Sequence, residues 1–190
     1  DAHTHACWAG DRLDEFDMKL RGATYLQLLE AGGGIMSTVR ATRRASQDEL
    51  ASRLFDRLAV MLREGTATVE VKSGYGLTTD DELKMLRAIH DAAAQWPGTV
   101  VPTALIAHAI DGEQSDFVER TINQTLPAVH AEFPGVTIDA YCERGAWSFD
   151  ETRRLFERAM SLGHPVRVHT DQFSELGMTA WAATHGARSV

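Results

Sequence analysis

Apolar residues return at four-residue intervals through Leu50, Leu54 and Leu58, and Met61 and Leu62 complete the stripe. That spacing predicts an amphipathic helix. It opens on Ser46-Gln47-Asp48-Glu49, a capping box, and runs to about Glu64, where Gly65 ends it. Residues 66–72 are rich in β-branched side chains and read as a strand that finishes in the loop Ser73-Gly74-Tyr75-Gly76. Thr79 and Glu82 frame a second capping box for a helix to about Gln95. Pro97-Gly98 turns the chain into a strand over 99–105, which ends near His108. Residues 116–133 read as helical with an interruption at Pro127, 136–141 as a strand, and Ser148 to Glu151 as a third capping box for a helix reaching Leu162. A strand over 166–169, a helix over 176–185 and the start of a strand over 187–190 follow. Upstream, residues 24–31 read as a short helix stopped by Gly32-Gly33-Gly34, and the arginines at 40, 43 and 44 read as a solvated face.

Strict β/α alternation with short connections means parallel strands joined by right-handed crossovers. Polar residues gather just after the strands: His3 and His5, 72–75, His108, Glu143, then His169 and Gln172. Such an edge is where α/β folds place their sites. The pattern points to a (β/α)8 TIM-type barrel, of which residues 1–190 hold roughly the first five to six β/α units as one partial domain. A closed barrel takes roughly 250 residues.

Charge and composition narrow the partners. A formal net charge of −8 argues against nucleic acid or an anionic membrane surface. Two cysteines, Cys7 and Cys142, without a CxxC fit a reducing compartment. The chain starts on its motif, so a signal peptide is not expected, and the expected location is the cytoplasm. The triple glycine is not followed by GK[ST], so a phosphate loop is not expected.

The candidate chemistry is metal binding. His3 and His5, two residues apart in a strand, share a face, and His169 closes another strand. Imidazole suits zinc, iron, copper or nickel. An HxH on a polar strand face that binds nothing is the alternative, and three histidines at two strand ends weigh against it.

The stretches DAHTHACWAGDR, AGGGIMSTVRATR, TVEVKSGYGL, ELKMLR, VVPTALIAHA and VHTDQF, in this order, closely resemble the imidazolonepropionase family of metal-dependent amidohydrolases. The resemblance spans the chain. It implies one zinc or iron ion, a small-molecule substrate (4-imidazolone-5-propanoate) and hydrolysis of its cyclic amide to N-formimidoyl-L-glutamate in histidine degradation. It implies that His3, His5 and His169 are metal ligands, and that Arg12, Tyr75, His108 and Gln172 contact substrate. A fork of guanidinium donors at Arg12 suits the propanoate carboxylate. The family motif around Gln172 is typically HADQ, and this chain has HTDQ. A histidine in an Asp-His pair, a later aspartate that binds the metal and serves as base, and the flanking β-sandwich are expected beyond Val190, so residues 1–190 alone are expected to be inactive. Assembly as a homodimer stays open, as do two other readings: a sibling amidohydrolase or aminohydrolase acting on another heterocycle, and a non-catalytic metal-binding module.

For the remaining polar residues the expectations are plainer. Lys72 reads as an ion-pair partner rather than a metal-bridging lysine. Glu143 reads equally as support for the site or as a surface carboxylate. Cys7 is close enough to the histidines to be weighed as a stray ligand, with a packing thiol preferred. His90, His130, His164 and His185 read as surface or satisfied histidines.

Overall fold

The computed structural model describes residues 1–24, 27–28, 31–112 and 116–190. The helix expected over 24–31 lies for the most part outside the described residues. In order, the described elements are α1 (Leu13–Leu20), α2 (Ile35–Arg44), α3 (Gln47–Arg63), β1 (Thr68–Lys72), α4 (Thr79–Gln95), β2 (Thr99–Ala107), α5 (Phe117–Arg120), α6 (Leu126–Glu132), β3 (Thr137–Cys142), α7 (Phe149–Ser161), β4 (Val166–Thr170) and α8 (Met178–Thr184).

The four strands pair in parallel in the order β1-β2-β3-β4. Residues 1–5 form no regular strand. They run beside β1 with one residue too many, since Asp1 accepts from the Glu70 N–H and Thr4 from the Lys72 N–H. At the other edge Arg188 donates to Val166, and Ser189 accepts from Val168. The sheet is strongly curled. Four strand spacings in a flat sheet would separate His3 from His169 by roughly 19 Å. Their Nε2 atoms are instead 2.8 Å apart, and Arg167 Nη1 lies 3.4 Å from the Ala2 carbonyl. The architecture is a half-barrel.

Both faces of this sheet are covered. Val69, Val71, Ala104, Ile106, Ile138, Ala140, Val166 and Val168 are buried on the outer face, against which α4, α7 and α8 pack. Trp147 and Phe156 are fully buried in the same core. Glu70, Lys72, Thr103, Asp139 and Arg167 lie on the inner face, where apolar branched residues are the rule.

Local signals place most boundaries within a residue or two. Ser148 and Glu151 form the complete capping box, each holding the other's backbone N–H. At Ser46 only half of it forms, because the Glu49 carboxylate pairs with Arg53 instead. The second cap is displaced by one residue: Thr78, not Thr79, receives the Asp81 N–H, which frees Glu82 for the loop before it. The helix over 117–132 is interrupted upstream of Pro127, by a π-helical turn at Thr121–Thr125. Proline has no N–H and its ring crowds the carbonyl four residues back, so the widened turn precedes it. Among the described residues no helix is long and apolar enough to cross a membrane.

Candidate active site

Three imidazoles meet at the mouth of the half-barrel. The Nε2 atoms of His3 and His5 are 3.2 Å apart, those of His5 and His169 3.3 Å, and those of His3 and His169 2.8 Å. A tetrahedral ion about 2.0–2.1 Å from each imidazole nitrogen gives edges of roughly 3.3 Å. Two of the three edges match that size, and the His3–His169 edge is shorter. A closed ring of three nitrogens is poorly served by hydrogen bonds, since each Nε2 carries either one proton or one lone pair in the ring plane. His169 Nδ1 faces Asp139 at 3.2 Å, which assigns the proton to Nδ1 and leaves the Nε2 lone pair in the triangle. Burial, with the neighbouring histidines and Lys72, pushes His5 down to about 3, and burial followed by the proximity of His169 lowers His3. Both are therefore neutral and able to ligate at neutral pH. A set of neutral imidazoles suits zinc, iron, copper or nickel.

His108 arrives by way of a bulge. Thr103 of β2 pairs with Lys72 and Ala104 with Ile138, but Ala107 pairs with Ala140, so three residues of β2 oppose two of β3. The extra residue reverses the alternation beyond it, which puts His108 on the inner face. Its ring lies 4.9 Å from that of His5 and 5.1 Å from that of Tyr75. Its Nδ1 donates to the Gly74 carbonyl at 2.9 Å, and burial pushes its pKa down to about 4.

Tyr75 and Arg12 line one hollow of about 250 Å³ with Trp8, Asp11 and Thr38. The Arg12 fork is engaged with Glu15, Nε to Oε1 at 2.8 Å and Nη2 to Oε2. Glu15 also accepts the Gly34 N–H at 3.2 Å, and Arg12 chiefly holds its carboxyl below the usual range. The glycine run makes room for it: a Cβ on Gly33 would stand 2.8 Å from the Glu15 carboxyl carbon.

Below the triangle lies a buried ion network. Lys72 Nζ sits 2.7 Å from both Glu70 and Asp139, and Arg167 also reaches Glu70, to which the Thr103 hydroxyl donates. Burial pushes Asp139 up, but the His169 imidazole and the Lys72 ammonium outweigh it and hold the carboxyl below its ordinary range. Lys72 is thus an internal ion-pair partner. Glu70, Asp139 and Arg167 escaped the sequence reading, as did Glu15. The signal available was a charged residue within three of the four strands.

The loop after β4 turns at Asp171, at φ +53°, and Gln172 is exposed. Asp171 accepts from the Leu176 and Thr179 N–H groups. Glu143 is no surface carboxylate. It accepts from the backbone of Arg144, Phe173 and Ser174 and from the Ser174 hydroxyl, which together hold it down to about 2. Its folded pKa lies below the ordinary 4.5, so the tether is fully present above pH 4.5 and is lost as pH falls towards 2. Protection of the Phe173 and Ser174 amides, taken relative to intrinsic exchange at the same pH, is therefore expected to fall on acidification across that range and to be low at all pH values in Glu143→Gln. Undiminished protection in the variant would remove this role.

Cys7 is fully buried and pushed up to about 12 by burial, so it stays a thiol and packs. Of the other histidines, His164 is buried and satisfied by the Val136 carbonyl and His130, His185 stacks on Trp181, and His90 is exposed. The arginine-rich helix is not wholly solvated: Arg43 binds the carbonyls of Gly76 and Leu77 and the Asp111 carboxylate.

No family model matches the chain. Curated relatives do, along all of it. It is 50% identical to an imidazolonepropionase of Symbiobacterium thermophilum, 47% to one of Herpetosiphon aurantiacus and 45% to one of Mesorhizobium japonicum, each over 100% of this chain. This chain is homologous to part of an imidazolonepropionase. It spans about half the length of these relatives, 46% or 47% of each.

Proposed function

We propose that residues 1–190 carry the metal triangle and the substrate cleft of a hydrolase that opens the cyclic amide of 4-imidazolone-5-propanoate to give N-formimidoyl-L-glutamate. One observation carries the reading: Arg12, Tyr75, His108 and His5 follow one another without a gap, from a carboxylate-binding fork to a metal-sized triangle. The similarity to imidazolonepropionases supports it.

His3, His5 and His169 would hold one zinc or iron ion. When bound, such an ion supplies Lewis acidity and lowers the pKa of water towards neutrality. The protein's own residues do the rest. Arg12 binds the propanoate carboxylate, in exchange for part of its engagement with Glu15. Tyr75 and His108 flank the ring and fix its angle to the triangle. Neutral His108, protonated on Nδ1, offers a lone pair on Nε2 to a ring N–H. Gln172 comes from the loop tethered by Glu143 and supplies an amide that both donates and accepts. Asp139 holds His169 in the tautomer that ligates. We further read the half-barrel as part of an eight-stranded (β/α)8 barrel acting in the cytoplasm.

Turnover of 4-imidazolone-5-propanoate by the intact protein loaded with Zn²⁺ or Fe²⁺ tests the reading. Hydrolysis of some other cyclic amide in its place would discard the substrate and keep the chemistry. Arg12→Ala is expected to raise KM for the propanoate substrate by roughly 10- to 100-fold, the worth of a charged hydrogen-bonded pair, with metal content unchanged. An unchanged KM would take Arg12 out of the cleft.

A further inference from the structure

We infer that Glu82 and Arg43, on two different helices, are positioning residues that set Tyr75 at a fixed span from the histidine triangle and so select substrate length. The inference rests on the proposed role of Tyr75 as a substrate contact. The loop between β1 and α4 is held from outside at every backbone polar group on either side of Tyr75. The Glu82 carboxylate accepts from the N–H groups of Gly74 at 2.9 Å, Gly76 at 2.8 Å and Leu77 at 2.9 Å. The Gly74 carbonyl accepts from His108, and those of Gly76 and Leu77 accept from Arg43 at 2.7 and 3.3 Å. Arg43 is itself fixed by Asp111 at 3.0 Å, and its own carbonyl is held by Lys84.

Such a clamp is more than the helix needs. The N-terminus of α4 already has its cap in Thr78, yet Glu82 is buried with 1% exposure one turn further on. A carboxylate taken out of water is costly unless its hydrogen bonds are well met. Here all of the donors come from the Tyr75 loop. The loop in turn accepts geometry that few residues tolerate. Leu77 has φ +53° and Gly74 φ +109°, and a Cβ on Gly76 would stand 2.6 Å from the Glu82 amide nitrogen. Because His108 holds the Gly74 carbonyl, Tyr75 and His108 form one unit, and His108 touches His5. The clamp therefore sets the distance between the Arg12 end of the cleft and the metal end.

The test uses the intact protein and two conservative variants. Glu82→Gln keeps the shape but turns an NH2 group towards backbone N–H donors, and Arg43→Lys keeps the charge but loses the fork that spans two carbonyls. Both are expected to raise KM for 4-imidazolone-5-propanoate about 10- to 100-fold, the scale of a displaced contact, while the metal dissociation constant stays within about twofold of the parent's. Fluorine NMR of protein labelled with fluorotyrosine is expected to show the Tyr75 resonance shifted or broadened. An unmoved Tyr75 resonance in both variants overturns the inference. So does a parallel fall in metal affinity and melting temperature in the milder Arg43→Lys, which would make the clamp a general folding element. If the intact protein does not turn over this substrate, the proposed function fails, and the fluorine resonance still decides whether Glu82 and Arg43 hold Tyr75.

Discussion

Lys72→Met is expected to cost about 3–5 kcal/mol of stability, the usual consequence of removing one partner from a buried ion network. Lys72 is 1% exposed, and its ammonium bridges Glu70 and Asp139 at 2.7 Å each. Methionine fills the volume but leaves two carboxylates inside the half-barrel. Glu70 retains Arg167 and the Thr103 hydroxyl; Asp139 retains only His169 as a charged or polar side-chain partner among the bonds described. The loss should depend on pH. Asp139 is held below its ordinary 3.8 in the folded protein, so its contribution is present above that pH and fades as pH falls through the lowered value. Without the ammonium the buried acid is best tolerated when protonated. Urea denaturation of the intact protein should therefore show the largest gap between parent and variant near pH 7 and a narrowing gap below about pH 4. A loss under about 1 kcal/mol would mean that water reaches the network and screens it.

His169→Ala is expected to remove metal binding and activity together. The other two proposed ligands come from one short segment, residues 3 and 5, and His169 is the third corner of the triangle, brought from β4. Two imidazoles do not hold the ion of a catalytic site, which normally has three protein ligands. We expect at least a 100-fold weaker metal dissociation constant in a chelator competition, on the scale that exceeds the 10- to 100-fold change typical of a ligand's hydrogen-bond partner. Asp139→Asn should show that smaller change, since the ring remains but loses the carboxylate that fixes its tautomer. Folding should survive in His169→Ala, because the ring is 15% exposed at the mouth rather than packed in the core. Full metal occupancy in this variant would place the ion elsewhere.

Sequence and structure divided the information by range. The helix over 149–161 was legible from Ser148 and Glu151 because a capping box is closed within four residues. The parallel strands were legible from alternation with helices, and the Ser73–Gly76 loop from its glycines. The residues assigned to the cleft came from motif resemblance, and the structure brings His3, His5, His169, His108 and Tyr75 together while leaving Gln172 exposed and Arg12 engaged with Glu15. Other features could not be read along the chain. Glu70 and Lys72 alternate with Val69 and Val71 as they would on a strand with one wet face, and only curling of the sheet turns that face into a dry interior. His108 has the wrong parity until the bulge in β2 reverses it, and a bulge is defined by the neighbouring strand. Glu82 and Thr79 look like a cap until the Tyr75 loop folds back to claim the carboxylate.

By itself, then, the sequence determined the period and order of the elements from Ser46 to His185 and the residue types available at the strand ends, because these depend on neighbours within a turn or two; the helix at Leu13–Leu20 was not read from it, and the strands expected at residues 1–5 and 187–190 do not form as regular strands. Tertiary structure alone decided which charges are buried, which face His108 takes and what holds Tyr75. Glu82 is five to eight residues from the groups it holds, but most of those outcomes depend on groups far away along the chain, as with Lys72 to Asp139 at a separation of 67, Arg167 to Glu70 at 97 and Arg43 to Gly76 at 33. No local propensity encodes a partner at that distance; the curl of the sheet supplies it.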